Sequence, residues 1–201
     1  MDPIHPYERL PLFGTGLALA IWLIAAHALM LAKPEPLQDF LKKFARNHTL
    51  GQILLGIGMA WFWLLLAPDD MGRLSSLTME LGEFDGAKPI LRLLTPVALV
   101  LVSVSVKDFL SVRALGLLGL MVAAPLLSAA FLKDPTSRLL IPVFCYVLIT
   151  VSLFWVSMPY LFRDWVNWAT ASASRWRALA LGGIAYGVAV LACALLFWRD
   201  C

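Results

Sequence analysis

Three places in this sequence hold residues able to do chemistry. They are His27, the acids Glu80, Glu83 and Asp85, and a polar run between Cys145 and Tyr160. His27 lies in a long apolar segment, where an ionisable side chain suggests a proton relay or a haem ligand. No second histidine shares such a segment to complete a bis-histidine haem. The expectation is a neutral imidazole hydrogen-bonded to a neighbouring helix. The three acids supply hard oxygen ligands of the kind calcium and magnesium take. Their order is not that of an EF-hand, and Asp85-Gly86 reads as a turn. Together with Asp134 and Arg138 they are the groups a headgroup-level membrane enzyme would use.

The polar run contains Cys145, Tyr146, Thr150, Ser152, Ser157 and Tyr160, and an earlier apolar segment adds Thr95, Ser103 and Ser105. Hydroxyls at depth either hold helices together or line a small polar pathway. The pathway candidates are His27, Ser103, Ser105, Tyr146, Thr150 and Ser152. No H-E-x-x-H and no phosphate-binding glycine loop occurs. No acid or lysine falls at the middle of an apolar segment, where ion-coupled transporters place such groups. No catalytic, metal-binding or cofactor-binding residue is assigned, and no cofactor is expected.

The elements that position these residues follow from composition. Hydrophobic residues make up 61% of the chain and charged residues 14%, against about 25% charged in soluble domains. Six apolar runs cover residues 11–32, 51–67, 89–106, 114–132, 139–161 and 178–198. About twenty residues at about 1.5 Å each match a hydrocarbon core about 30 Å thick. Continuous runs of this length mean helices rather than barrel strands. The predicted fold is all-α: a polytopic integral membrane helical bundle of about six transmembrane helices, one domain over residues 1–201, with short amphipathic interfacial helices. The first run exceeds the apolar core of a signal peptide, so it reads as a span. Pro96 and Pro125 interrupt two spans, each removing a helix hydrogen bond. Arg92, one turn inside the third span, is expected to snorkel outward. Gly183 and Gly187 form a G-x-x-x-G, and Gly119 with Ala123 repeats the small-residue spacing. The cysteines, Cys145, Cys193 and Cys201, form no C-x-x-C.

The gaps carry the charge. The first, third and fifth connections hold nine basic and four acidic residues; the termini and the other connections hold seven and nine. Four basic residues follow the first span and one precedes it, which places both termini outside the cytoplasm of a cell (inner) membrane. In the first connection, Leu37, Phe40, Leu41 and Phe44 recur at helical spacing beside Lys42, Lys43 and Arg46. In the fifth, Arg163, Trp165, Trp168, Arg175, Trp176 and Arg177 interleave, with the three tryptophans on one helical face. These residues are the expected contacts to lipid, including anionic headgroups, or to a membrane-protein partner or second copy. An aromatic belt explains them better than nucleic acid does. The short third connection predicts an antiparallel hairpin of the third and fourth spans, with Asp108 and Arg113 paired. The leading functional expectation is a non-enzymatic scaffold, assembly factor or subunit of a membrane complex. A small transporter or channel for a neutral or lipid-like substrate comes second, and the headgroup-level enzyme third.

Overall fold

A computed structural model describes residues 5–68, 71–72, 77–106 and 108–199. Asp69, Asp70, Arg73, Lys107 and Cys201 lie outside the described residues. Among those described, eight α-helices follow one another without a strand: α1 Leu12–Ala32, α2 Pro34–Phe44, α3 His48–Leu65, α4 Lys88–Ser105, α5 Leu110–Ala130, α6 Leu140–Ser157, α7 Tyr160–Thr170 and α8 Ala173–Phe197. Six segments, all but α2 and α7, are long and apolar enough to cross a membrane. The helix borders have local causes. Pro34 and Pro36 open α2, where a missing N–H is harmless. Asn47 caps α3, its Oδ1 accepting from the Leu50 N–H at 3.0 Å. Pro96 and Pro125 lie inside unbroken helices.

Packing follows the small residues. α1 docks along α8, and α5 takes α6 on one side and α3 on another. A Cβ at Gly183 would strike the His27 ring, and one at Gly187 would come within 2.8 Å of Ile24 Cγ1. The G-x-x-x-G therefore seats α1 against α8 within one chain. On α5, a Cβ at Gly119 would strike Ser152 Oγ, and one at Gly116 would meet the Ser152 carbonyl at 2.8 Å. One core cluster joins Leu19, Ala20 and Leu23 of α1, Ala123 and Ala130 of α5, Ile141 and Cys145 of α6, and Val190 and Ala194 of α8.

The expected hairpin of the third and fourth spans is corrected. α4 and α5 are neighbours in sequence, yet α4 packs chiefly on α3, and α5 packs on α6 and on α3. They share a cluster only near their junction, where Leu99, Val102 and Val106 meet Leu110 and Ala114. A short link sets which ends are close, but it does not set which flanks touch.

The connections gather into two ends. Phe44 of α2 and Phe162 of α7 meet with ring centroids 5.7 Å apart and planes tilted by 50°, and the Ser111 hydroxyl donates to the Phe44 carbonyl at 2.5 Å. The first, third and fifth connections thus meet at one end. At the other, the Tyr7 phenol accepts from the Trp61 indole at 2.6 Å. Thr78 Oγ1 donates to the Ala67 carbonyl at 2.9 Å, and the Trp198 indole donates to Ser137 Oγ, also at 2.9 Å.

Candidate functional site

The pathway candidates do not converge. Ser103, on α4, accepts from Gln52 Nε2 of α3 at 3.1 Å, while Ser105 is exposed. Tyr146 and Thr150 face outward from α6, and Thr150 Oγ1 satisfies itself on the Tyr146 carbonyl one turn back at 2.7 Å. Ser152 is fully buried against the α5 glycines, its hydroxyl without a partner. α4 packs on α3 and α6 on α5, so Ser103 and Ser152 belong to separate seams and the exposed hydroxyls to neither.

His27 is placed in detail. Its Nδ1–H donates to the Leu23 carbonyl of its own helix at 2.7 Å, which corrects the expected bond to a neighbouring helix. The ring instead lies over Gly183 of α8, where only a glycine leaves room. It serves as a flat packing plate at the α1–α8 seam.

Two arginines acquire roles that spacing did not show. Arg92, expected to snorkel outward, sends its Nε to the Leu66 carbonyl just past the end of α3. Arg113, expected to pair with Asp108, sends Nη1 to the Val156 carbonyl in the last turn of α6 at 2.8 Å. In both cases a guanidinium meets the carbonyls a helix end leaves unpaired, where the helix dipole favours a cation. Three buried polar atoms among the described residues lack partners: His48 Nε2, Arg113 Nε and Ser152 Oγ.

The basic end is a platform. Lys42, Lys43 and Arg46 are exposed around α2, and Arg163 and Trp165 are exposed on α7. The buried sides of α2 and α7 face each other through Phe44, Phe162 and Val166. Trp168 is exposed, with the Arg175 guanidinium 5.2 Å above its ring, and Arg177 is exposed at the start of α8. The single tryptophan face is corrected. The chain breaks between α7 and α8, so Trp176 sits on a different helix from Trp165 and Trp168. Trp176 is 3% exposed and donates its indole N–H to the Met30 carbonyl near the end of α1 at 2.8 Å.

At the opposite end, Asp85 pairs with Lys88 at 2.7 Å and accepts from the Leu81 N–H. Glu80 and Glu83 are exposed. No group of three metal-ligating side chains forms among the described residues. Tyr7 is buried there; burial pushes its phenol above the ordinary value, and the Trp61 bond offsets part of that. Compared with known proteins, the chain matches no family model, no curated protein and no solved structure. The class the structure defines is an all-helical protein with six helices suited to crossing a bilayer.

Proposed function

We propose that this chain is a multi-pass integral membrane protein acting without catalysis, as a scaffold, assembly factor or subunit of a membrane complex. The observation that carries the reading is the position of α4. Among the long helices it packs chiefly on α3, sharing a cluster with α5 only near their junction. One continuous stripe, formed by Ile90, Leu93, Leu94, Val97, Val100, Leu101 and Val104, stays 48–71% exposed. The i, i+3, i+4, i+7 recurrence of these residues is the pattern of a helix-docking face. Lipid alone solvates such a stripe, but a peripheral helix held by one neighbour is also where a second membrane protein finds room. The basic platform adds a docking surface at one end, with membrane lipids as its ordinary contacts and anionic headgroups favoured.

Isolation in mild detergent tests this reading. The expected result is recovery with a stable partner, lost on Val97→Trp plus Val100→Trp. Recovery as a lone monomer overturns it. For orientation, the reading has the basic end in the cytoplasm and both termini outside a cell membrane. A reporter fused after Cys201 that gives a cytoplasmic signal reverses that orientation.

A further inference from the structure

A cavity of about 590 Å³ opens at the acidic end, lined by Glu8, Leu127, Ser128, Phe131, Leu132 and Lys133. Two opposite charges face this space, Glu8 and Lys133, and among the described residues neither forms an ion pair. Glu8 stands on the segment preceding α1 and is exposed; Lys133 follows the end of α5 and is half-buried. Phe131 and Leu132 are 70% and 78% exposed, and Leu132 holds a φ of 51°. A leucine in that left-handed region is uncommon and disfavoured. The turn presents two large apolar side chains outward beside two unneutralised charges.

We propose that this cavity binds the headgroup of a zwitterionic membrane phospholipid carrying a primary ammonium. Each simpler ligand leaves something unsatisfied. An anionic headgroup would suit Lys133, but it would meet Glu8 and the negative end of the α5 dipole. A cation would suit Glu8 and the α5 carbonyls but would meet Lys133. A zwitterion satisfies both: phosphate on Lys133, ammonium on Glu8. The Ser128 hydroxyl is within the lining to accept from or donate to either group. Quaternary ammonium groups are recognised by aromatic cages, and this lining has one aromatic ring, Phe131. A primary ammonium, which hydrogen-bonds to a carboxylate, fits better. Leu127, Phe131 and Leu132 then meet the upper acyl chains. The inference rests on the membrane-embedded part of the proposed function and not on any protein partner.

The test uses the full chain in mild detergent, offered equal amounts of phosphatidylethanolamine, phosphatidylcholine and phosphatidylglycerol, with retained lipid read by native mass spectrometry. The ethanolamine lipid is expected to be retained about tenfold over each of the others, a difference of about 1.4 kcal/mol, because it alone satisfies both charges with charge-assisted hydrogen bonds. Glu8→Gln and Lys133→Gln should each reduce that preference severalfold. Ser128→Trp, which fills the cavity without changing charge, should abolish it. Equal retention of the three lipids by the unaltered chain overturns the proposal, as does an unchanged preference in the variants. Should one variant fail to fold, the other two carry the test. Alkaline carbonate extraction separates the two readings. Release of the chain from membranes removes the membrane assignment itself, whereas firm retention without lipid preference removes only the headgroup site.

Discussion

The seam between α1 and α8 and the seam between α3 and α4 join helices of similar apolar character by different means. α1 and α8 approach closely because Gly183 and Gly187 leave space for the His27 ring and for Ile24. α4 meets α3 through polar contacts, Gln52 to Ser103 and Arg92 to the Leu66 carbonyl. If the helices lie in lipid, as proposed, no hydrophobic drive brings them together, because the tails solvate leucine as well as another helix does. What remains is shape and hydrogen bonding. The first seam depends chiefly on shape, with one hydrogen bond from Trp176 to the Met30 carbonyl near its end; the second adds side-chain hydrogen bonds to a small apolar cluster around Leu55, and that predicts which substitutions each will feel.

The largest effect belongs to the glycine seam. Gly187→Val drives a branched side chain toward Ile24, whose backbone N would be 3.2 Å from the new Cβ. Overpacking of this kind costs about 1–3 kcal/mol and occasionally more; with backbone as well as side chain in the way at Gly187, a loss at or above about 3 kcal/mol is expected in thermal unfolding in detergent. Gly183→Ala is the sharper probe because its obstacle is a side chain, the His27 ring. His27→Ala should restore stability to Gly183→Ala while leaving Gly187→Val unrescued. If the His27 change rescues neither glycine variant, the histidine is not what Gly183 accommodates.

The arginine caps come next. Arg113→Ala and Arg92→Ala each remove a hydrogen bond from a charged donor, worth about 1.5–3 kcal/mol. Their readouts should differ. Arg113 lies among the core contacts of α5, so its loss should lower global stability. Arg92 serves the peripheral α4, so its loss should loosen that helix alone. A cysteine at Ser103 in the Arg92→Ala background would then react faster with a thiol reagent. A global loss equal to that of Arg113→Ala would mean that α4 is built into the core.

Ser103→Ala tests the same seam more lightly. It removes one interhelical hydrogen bond, and such bonds in membranes average about 0.6 kcal/mol. A small loss, not additive with Gln52→Ala, is expected in a double-mutant cycle. Additive losses would show that the two side chains do not act as a pair.

How much of this was legible beforehand follows from the same contrast. The six long apolar helices were readable because continuous apolar runs of about twenty residues, the length that a bilayer core requires, stand out in the sequence. The G-x-x-x-G of α8 was readable because its signal is local. α2 was also readable, since Leu41 and Phe44 recur on one face and now pack against α7. The order of neighbours was not readable. Where lipid and protein interior are equally apolar, an apolar stripe does not say which of the two it faces, so α3 between α4 and α5 left no mark. Arg92 and Trp176 were read as interfacial residues and Arg113 as the partner of Asp108, because nothing local reveals a carbonyl brought by a distant helix end. The helix-terminal rule names what such residues seek, but only the fold supplies the partner.

Ser152→Ala asks whether a polar contact contributes to a seam already determined by shape. Its hydroxyl is buried against Gly119 and has no hydrogen-bond partner. An unsatisfied buried group carries a desolvation cost of about 1–3 kcal/mol, and alanine removes it while keeping the Cβ that the α5 glycines accommodate. The expected result is therefore unchanged or slightly raised stability, the opposite sign from Ser103→Ala on the polar seam. A clear loss in thermal unfolding would mean that the hydroxyl holds a bond in the bilayer, to a carbonyl of α5 or its own helix. The α5–α6 seam would then rest on hydrogen bonding as well as on fit, and the division between the two kinds of seam would narrow to α1 and α8.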